Sequence, residues 1–511
     1  MAEALPLDCE IGVIGAGAMG AGIAQIAAQA GHRVHLFDNR MGAADAAKAA
    51  IGTTLATLAA KGKFSAADAA AAAARIVPVH ALGDMVSARL VVEAIVEDLD
   101  VKRKLFRELE VVVAPDAILA TNTSSLSITA LAAGMKHAGR IAGMHFFNPA
   151  PILPLVEVVS GLATDARVAD VIYATAKAWG KVPVHATSTP GFIVNRCARP
   201  FYAEGLRLLT ECAADPATID AVMREAGAFR MGPFELMDMI GHDVNLAVTK
   251  SVWEAYFHDP RYTPSVRQQE LVAAGYLGRK TGRGFYSYAP DAQKPQPRAE
   301  APQPRPARIV AAGDHPLTAG LRARFAAAGI DVAPGGADVA VAPAYFAIDG
   351  ACLVPSDGRT ATAIATASGR ADVVVYDLAF DYAKCARIAV AAADGCDARA
   401  AAAAVGALQA AGIAVSKIDD IAGLVVMRTV AMLANEASDA VAQGIASAPD
   451  VDVAMQAGVN YPRGPLGWAD AIGLPHVCAV LANLAAVYGA GRYRTSPLLL
   501  RRCATRGKLL G

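Results

Sequence analysis

Short apolar runs alternate with helical repeats through the first 190 residues of the chain. The apolar runs end in glycine or polar residues, which is typical of buried strands, and the segments between them repeat apolar residues with the helical period. Strands are predicted at residues 11–14, 33–37, 90–95, 118–120, 141–144 and 155–159, and helices at 18–30 and 42–74. This alternation favours a parallel sheet covered by helices on both faces.

The pattern changes after Pro190. Helical periodicity without a strand pattern predicts an all-helical domain, made of residues 191–213, 215–228 and 232–258. Six prolines within 289–306 then indicate an extended linker. A strand–helix–strand pattern returns at residues 308–312, 317–328 and 330–332. The predicted domains are an α/β Rossmann-type domain at 1–190, a helical domain at 191–288, a linker at 289–307, a degenerate α/β domain at 308–415 and a second helical domain at 416–511.

The chain contains an internal duplication. Residues 219–241 and 451–473 align without a gap at an offset of 232 (451 − 219 = 232), and the same offset aligns 191–196 with 423–428. The last domain is therefore predicted to be a second copy of residues 184–279. Asn195 of the first copy corresponds to the apolar Met427, so a catalytic Asn195 would leave the second copy inert. The alternative is ordinary drift at a core position.

Composition and charge exclude several classes of protein. The chain has 511 residues and equal numbers of basic and acidic side chains, 47 each, so binding of nucleic acid through bulk charge is not expected. The eight cysteines form no CxxC pair, which argues against zinc ribbons and is typical of a reducing compartment. No signal peptide or 18-residue apolar stretch is visible, so we expect no membrane span, no bound metal and a cytoplasmic location.

A glycine-rich fingerprint predicts a dinucleotide site. Gly15, Gly17 and Gly20 fit GxGxxG between a predicted strand and a predicted helix, where glycines allow a tight turn, approach of a pyrophosphate and close helix packing. Asp38 ends the second strand and can accept hydrogen bonds from the ribose hydroxyls of NAD, while repelling the 2′-phosphate of NADP. Arg40 complicates this choice because a nearby arginine can favour NADP, but NAD is the expected cofactor.

Two further residues suggest acid–base chemistry. An enzyme that oxidises an alcohol needs a base for the hydroxyl proton, and His145 follows a predicted strand at the carboxyl end, where α/β proteins bind ligands. Glu157 lies inside an apolar run, where a carboxylate needs a partner. A His145–Glu157 pair would meet that need and orient the imidazole. The alternatives are a structural histidine and a surface acid on an edge strand.

A set of motifs in order resembles the L-3-hydroxyacyl-CoA dehydrogenase family over about residues 8–288. The motifs are GAGAMG at 15–20, NTSSL at 122–126, HFFNP at 145–149, LVEVV at 155–159, TPGFIVNR at 189–196, GPFELMD at 232–238 and KTGRGFY at 280–286. The duplicated tail resembles longer bacterial forms associated with 3-hydroxyadipyl-CoA oxidation. The resemblance implies NAD-dependent oxidation of (S)-3-hydroxyacyl-CoA to 3-oxoacyl-CoA, of the 3-hydroxybutyryl-CoA or 3-hydroxyadipyl-CoA type, in fatty-acid or aromatic-acid breakdown.

The resemblance also implies roles for individual residues. His145 would be the general base and Glu157 its partner. Ser124 would bind the 3-hydroxyl or carbonyl oxygen of the substrate, and Asn195 would polarise the thioester side. The expected NAD contacts are Gly15, Gly17, Met19, Gly20, Asp38, Glu97, Lys102 and Asn122. The expected CoA contacts, besides Ser124 and Asn195, are Lys61 and Lys63.

The residues alone leave other interpretations open. Ser124 could be a helix N-cap, and Lys61 and Lys63 could be solvated charges. The chain could also oxidise a different hydroxy acid on the same fold, or bind NAD without turnover. The acyl-CoA partner is expected in a cleft between the α/β and helical domains. The second helical copy could pack on the first as an internal pseudo-dimer in a monomer, or the protein could be a homodimer.

Overall fold

The computed structural model describes residues 2–511, which form two compact units. The first unit runs to Arg196 and also contains Gln443–Val459. The second comprises Cys197–Ala442 and Asn460–Gly511. The segment Gln443–Val459 lies in the second copy of the helical repeat, so the duplication contributes chain to the unit that carries the glycine fingerprint.

The first unit is built on an eight-stranded sheet in the order β3-β2-β1-β4-β5-β6-β7-β8. The central strands are Val- and Ile-rich and buried on both faces, as expected beneath helices on both sides. The strands are β1 (Glu10–Ile14), β2 (Val34–Phe37), β3 (Ile76–Pro78), β4 (Ala88–Glu93), β5 (Ile118–Thr121), β6 (Ile141–Phe146), β7 (Leu155–Ser160) and β8 (Val182–Thr187).

The sheet departs from the parallel arrangement at one pair. β7 runs antiparallel to β6, whereas every other neighbouring pair in this sheet is parallel within the described residues. A loop of fewer than a dozen residues joins β6 to β7, too short for the crossover that a parallel pair needs. The antiparallel register places His145 directly opposite Glu157.

The helices are divided between the two units. Those of the first unit are α1 (Ala18–Ala30), α2 (Ala43–Ala60), α3 (Ala66–Arg75), α4 (Leu99–Val112), α5 (Ile128–Ala132), α6 (Ala166–Ala178), α7 (Val194–Cys197, whose last residue belongs to the second unit) and, from the second repeat, α17 (Ala448–Val459). Those of the second unit are α8 (Arg199–Thr210), α9 (Pro216–Glu225), α10 (Pro233–Ile240), α11 (His242–Ala255), α12 (Val266–Ala273), α13 (Pro316–Ala327), α14 (Ala361–Ser368), α15 (Ala398–Ala410), α16 (Val426–Ala442), α18 (Pro465–Ile472), α19 (Leu474–Tyr488), α20 (Ala490–Tyr493) and α21 (Pro497–Ala504). Short 3₁₀ turns lie at Leu82–Met85, Ala138–Arg140, Pro260–Tyr262 and Arg279–Thr281.

Residues 42–74 are helical as predicted but do not form one continuous helix, because the structure has two helices there, α2 and α3. Gly62 adopts a left-handed φ of 72°, which ends the first helix region. The hydroxyl of Ser65 then accepts a hydrogen bond from the backbone N–H of Asp68 and caps the second helix. These local signals override the continuous alanine-rich helical propensity of the segment.

The second unit contains most of the two helical copies and a seven-stranded sheet in the order β10-β9-β11-β12-β13-β14-β15. The α/β character predicted for residues 308–415, and the helical character of the domains on either side, are confirmed. The strands are β9 (Arg308–Ala312), β10 (Asp331–Gly335), β11 (Tyr345–Ile348), β12 (Ala351–Pro355), β13 (Val373–Tyr376), β14 (Arg387–Ala392) and β15 (Ala414–Lys417).

The duplication extends further towards the N-terminus than the sequence alignment indicated. β14 and β7 have the same length at the offset of 232 (387 − 155 = 232), and α15 and α6 coincide in the same way (398 − 166 = 232). The pairing pattern also repeats, because β13 and β14 are antiparallel and β14 and β15 are parallel. Strands β13–β15 with helix α15 are therefore a second copy of β6–β8 with α6.

Within residues 2–511, no single helix is both long and apolar enough to cross a membrane. One pair, α18 with α19, meets the length and composition criteria together but is bent by 101°.

Candidate active site

The glycine loop has the geometry that its motif predicts. Gly15 adopts φ 102°, and a Cβ on it would lie 2.4 Å from the carbonyl oxygen of Ala94. A Cβ on Gly20 would lie 1.8 Å from the carbonyl oxygen of Gly15, whereas a Cβ on Gly17 would meet open space. Gly15 and Gly20 therefore allow the tight turn and close packing, and Gly17 leaves room for a pyrophosphate beside the N-terminus of α1.

Asp38 lies at the end of β2, next to this loop. Its carboxylate accepts a hydrogen bond of 2.8 Å from the backbone N–H of Ala16, and bonds of 3.0 and 3.1 Å from Arg40 Nε and Nη2. The hydrogen bonds from the Arg40 side chain, helped by the backbone donors, lower the pKa of Asp38 to about 2. Asp38 is thus a carboxylate at neutral pH, available to ribose hydroxyls.

A cavity of about 580 Å³ joins the loop to Asp38. The size and the mixture of apolar walls with a few polar groups fit the adenosine half of NAD. The cavity is also lined by Lys104 and Glu108, which lie about one turn apart on α4. These two residues were not predicted from the sequence, because neither belongs to a motif. The other lining residues are Ile14, Gly15, Gly17, Phe37, Asp38, Asn39, Arg40, Leu82, Ala94, Ile95, Val96, Val101 and Leu105.

A buried ionic network lies beside the cavity. Lys102 donates to Glu93 at 2.6 Å and lies 3.2 Å from Glu97, and its side chain is only 1% exposed. Glu97 also accepts hydrogen bonds from Thr123 Oγ1 at 2.5 Å and from the backbone N–H of Ser124 at 3.0 Å. Burial raises the pKa of Glu97, but these donors and Lys102 outweigh it, so the pKa is lowered overall. Lys102 thus fixes the side chain of Glu97, and Glu97 in turn accepts hydrogen bonds from the turn that contains Thr123 and Ser124.

His145 and Glu157 form a buried pair. His145 Nδ1 lies 2.7 Å from Glu157 Oε2, and both residues are at most 5% exposed. The rings of Phe147 and Phe192 pack near the imidazole, at centroid distances of 4.5 and 5.9 Å. With Nδ1 facing the carboxylate, Nε2 is the nitrogen left for a substrate.

The second oxygen of Glu157 is fixed by backbone donors. Glu157 Oε1 accepts hydrogen bonds from the N–H groups of Ile193 and Val194, at 3.0 and 2.9 Å. These donors follow a turn in which Gly191 and Phe192 have φ values of 78° and 47°. A left-handed conformation is costly for phenylalanine, so the surrounding contacts impose it, and its effect is to aim both N–H groups at Glu157.

Ser124 and Asn195 lie together. Asn195 Nδ2 donates to the backbone carbonyl of Ser124 at 3.3 Å. Asn122, two residues before Ser124, uses Oδ1 to accept the N–H of Phe146 at 2.8 Å, which ties the end of β5 to the residue after His145. The structure therefore brings the predicted groups from β5, β6, β7 and α7 into one region at the carboxyl end of the sheet.

Three other predicted residues lie apart from this group. Met19 is in the first turn of α1 and is partly buried. Lys61 directly follows α2, Lys63 lies in the turn before α3, and both are exposed. Their predicted contacts with CoA phosphates stay a prediction. Among residues 2–511 no cluster of three or more His, Cys, Asp or Glu side chains is placed to hold a metal ion.

The second copy lacks these chemical groups at the corresponding positions. Asp377 stands where the first copy has His145 (377 − 145 = 232), and Ala389 stands where it has Glu157 (389 − 157 = 232). Asp377 itself accepts hydrogen bonds from the N–H groups of Val425, Val426 and Met427, at 2.8 to 3.0 Å.

A Rossmann sheet with a complete glycine loop, an ionised carboxylate beside that loop and a buried His–Glu pair at the same end of the strands has the features of an NAD-dependent dehydrogenase. Residues 10–189 match the family model of the 3-hydroxyacyl-CoA dehydrogenase NAD-binding domain, and residues 191–288 and 423–509 match the C-terminal domain of that family. Residues 353–421 match the reduced Rossmann-fold domain of 3-hydroxybutyryl-CoA dehydrogenase. The chain belongs to the 3-hydroxyacyl-CoA dehydrogenase family, and NAD is its cofactor.

Known relatives cover both the whole chain and its first half. The chain is 42% identical to 3-hydroxyadipyl-CoA dehydrogenase of Escherichia coli K12, over 96% of this chain and 97% of that one. A crystal structure of 3-hydroxybutyryl-CoA dehydrogenase from E. coli K12 matches with a TM-score of 0.89 and 40% identity, over 98% of this chain and 99% of that one. A probable 3-hydroxybutyryl-CoA dehydrogenase of Deinococcus radiodurans is 41% identical over 55% of this chain and 100% of its own length.

Proposed function

We propose that the chain oxidises (S)-3-hydroxyacyl-CoA to 3-oxoacyl-CoA with NAD⁺, releasing NADH and a proton. The observation that carries the proposal is the buried contact of 2.7 Å between His145 and Glu157, at the sheet edge that also bears the glycine loop. NAD⁺, when bound, accepts the hydride from the carbinol carbon. The family relationship supplies the substrate class.

Each side chain of the site is assigned a separate role in the reaction. His145 takes the hydroxyl proton at Nε2, because Nδ1 faces Glu157. The carboxylate of Glu157 stabilises the imidazolium that forms and, held by two backbone N–H groups, keeps the ring in position. Ser124 donates to the substrate oxygen, and Asn195, anchored on the carbonyl of Ser124, faces the thioester side. The hydrogen bond that the Phe146 N–H donates to Asn122 Oδ1 holds the backbone next to His145 in place.

The acyl group is proposed to be of the 3-hydroxybutyryl or 3-hydroxyadipyl type. Relatives that share the duplicated tail carry both names, because a 3-hydroxyadipyl-CoA dehydrogenase is covered over 97% of its length and a solved 3-hydroxybutyryl-CoA dehydrogenase over 99%. Both (S)-3-hydroxybutyryl-CoA and 3-hydroxyadipyl-CoA are expected to be oxidised, and the ratio of their kcat/KM values identifies the preferred acyl group. A cytoplasmic location is proposed, because none of the eight cysteines forms a disulfide within residues 2–511.

The second helical copy is proposed to act as an internal dimer partner, so that the protein is a monomer. Reciprocal contacts of buried glutamates in the second unit support this. Glu204 of the first copy accepts a hydrogen bond from Tyr493 Oη at 2.9 Å, and its counterpart Glu436 (436 − 204 = 232) accepts one at 3.0 Å from Nη1 of Arg261, the counterpart of Tyr493 (493 − 261 = 232). Exchange of equivalent contacts between two copies is the signature of a two-fold interface. Sedimentation equilibrium tests it: a dimer held through residues 191–288 would contradict the proposal.

The activity is tested by following the absorbance of NADH in the presence of NAD⁺ and each CoA ester. Both (S) esters are expected to give turnover, and the (R) enantiomer of 3-hydroxybutyryl-CoA serves as the negative control. NADP⁺ in place of NAD⁺ tests the cofactor. Tight NAD⁺ binding without turnover of either (S) ester would overturn the proposed function while leaving the family assignment intact.

A further inference from the structure

A segment of the second repeat, Gln443–Val459, belongs to the compact unit that contains His145 and Glu157. Within that unit, α17 packs against β7 and β8. β7 carries Glu157, and β8 is its parallel neighbour. The second repeat therefore contacts the strand that holds the carboxylate proposed to orient the base.

The closest approach is at Gly458. A Cβ on this residue would lie 2.6 Å from Leu155 Cδ2 and 3.2 Å from Val194 Cγ2. Leu155 is fully buried, so its side chain has no free space into which to move. Leu155 lies two residues before Glu157 on the same face of β7, and Val194 donates its N–H to Glu157. Gly458 thus touches both supports of the carboxylate.

Two hydrogen bonds at the other end of the segment fix its position. The N–H of Thr187, the last residue of β8, donates to the carbonyl of Ile445 at 2.8 Å. Arg196 Nη1 donates to Gln443 Oε1 at 2.8 Å. Arg196 directly follows Asn195 and is almost fully buried, so the segment also contacts the short helix that presents Asn195.

The same contacts recur in the second unit between equivalent residues. The N–H of Asp419, the counterpart of Thr187 (419 − 187 = 232), donates to the carbonyl of Ala213, the counterpart of Ile445 (445 − 213 = 232). Arg428, the counterpart of Arg196, likewise bonds Glu211, the counterpart of Gln443, at 2.7 and 2.9 Å. Recurrence in both units indicates a docking geometry built into the repeat. Only in the first unit does it bear on a His–Glu pair.

We infer that the segment Gln443–Val459 of the inert second copy is a positioning element for the reaction, and that Gly458 sets the place of Glu157 through Leu155 and Val194. The inference rests on the proposed function, because it assumes the roles given to His145 and Glu157. It assigns the duplicated half a task in catalysis that none of its own chemical groups performs.

The test is Gly458→Ala, combined with a variant that restores the space. The added methyl is expected to displace Leu155 and Glu157 by a few tenths of an ångström and to lower kcat roughly tenfold, with the KM for NAD⁺ unchanged. Leu155→Val removes the Cδ2 atom that the methyl would meet, so the double variant Leu155→Val, Gly458→Ala is expected to recover most of the lost kcat. Gln456→Ala, an exposed change on the same helix, is the matched control.

A readout independent of turnover separates this inference from the proposed function. The proton shared by His145 Nδ1 and Glu157 should give a low-field proton resonance, assigned by its loss in His145→Gln. Gly458→Ala is expected to shift or broaden it, and the double variant to restore it. Wild-type kcat and an unmoved resonance in Gly458→Ala would overturn the inference. A wild type that lacks turnover but shows the resonance shift would overturn the function alone.

Should Gly458→Ala fail to fold, Gln443→Ala provides the second variant. It removes the acceptor of Arg196 Nη1 without adding volume. Loss of one neutral acceptor is expected to lower kcat roughly threefold, again with the KM for NAD⁺ unchanged. Unchanged kcat in a folded Gln443→Ala protein, together with a Gly458→Ala variant that does not fold, would count against the inference.

Discussion

The carboxyl ends of the two sheets differ at the position where a base is needed. β6 carries His145 next to its last residue, opposite Glu157 on β7. In the second sheet β13 is followed by Asp377, and β14 carries Ala389 at the position of Glu157. The backbone differs little, since the strands and their pairing recur at one offset. The two regions are therefore a matched pair in which the fold is held nearly constant and the chemical groups change.

One function is common to both regions. Glu157 accepts the N–H groups of the turn after Phe192, and Asp377 accepts those of the turn after Leu424. The turns share their strain, with φ of 47° at Phe192 and 52° at Leu424. A buried carboxylate therefore faces this turn in both copies, from β7 in the first and from the residue after β13 in the second. The imidazole is kept only where chemistry is proposed.

Replacing the imidazole should have the largest effect. His145→Gln removes the base and is expected to lower kcat roughly 1,000-fold, with NAD⁺ affinity unchanged because His145 lies apart from the loop at Gly15. Asp377→Asn at the equivalent position is the matched control and is expected to retain wild-type kcat. Steady-state kinetics and NAD⁺ titration of both variants test the comparison. An equal loss of kcat in the control would show that the second copy takes part in catalysis.

Removing the charge of Glu157 should have the next largest effect. Glu157→Gln keeps an oxygen for the N–H groups of Ile193 and Val194 but no longer stabilises a protonated imidazole. A fall in kcat of roughly 100-fold is expected. Steady-state kinetics of wild type and variant, with the fold checked by circular dichroism, provide the measurement, and an unchanged kcat in a folded variant would contradict the pairing.

A substitution at the cofactor site should have a smaller effect, on the affinity for NAD⁺. Asp38→Asn removes the charge that faces the ribose, and loss of a charge-assisted hydrogen bond is expected to weaken NAD⁺ binding roughly tenfold. NADP⁺ binding should improve, because Arg40 no longer shares its charge with a carboxylate. Since the pKa of Asp38 is lowered to about 2, wild-type NAD⁺ affinity should not change through this group between pH 5 and pH 8. Fluorescence titration of both cofactors at the two pH values measures this, and tighter NAD⁺ binding in the variant would argue against ribose contact.

Much of the catalytic region could be predicted from the sequence. The glycine loop, Asp38 and the strand before His145 have strong local signals, because each motif depends on residues close in the chain. The partnership of His145 with Glu157 was also predicted, since a carboxylate in an apolar strand needs a partner. The antiparallel register that places them opposite each other was not, because the periodicity of a strand does not encode its direction.

Long-range contributions escaped prediction for a different reason. Nothing in residues 443–459 signals that they belong with the first unit, since docking depends on the shape of a distant surface. Lys102 was expected near NAD but is buried against Glu93, because a cationic side chain on a helix gives no sign of its depth. The copy of β6 to β8 in the second sheet was missed because its sequence has diverged, and only the geometry and the spacing of 232 remain.

The smallest expected effect is on the pH dependence of folding stability, through the titration of Asp377. Burial raises the pKa of Asp377 to about 6, despite four backbone donors, from an ordinary value of 3.8. The folded state therefore binds this proton more tightly than the unfolded state does. The carboxyl group accordingly contributes a stability that is complete below about pH 4 and is lost as the pH rises through about 6. Asp377→Asn abolishes that titration, so the Tm of the variant minus that of wild type should increase from pH 4.5 to pH 7.

The expected increase is roughly 1–3 °C. Comparing variant with wild type at each pH cancels other titrating groups, among them Asp220, whose pKa burial raises to about 7. Thermal melts at several pH values, with kcat measured alongside, give both readouts. A constant difference in Tm would mean that the four donors fully offset burial. The second copy would then stabilise its buried carboxylate through backbone donors, as the first copy stabilises Glu157. The two regions would differ only in the side chains that carry the proposed chemistry.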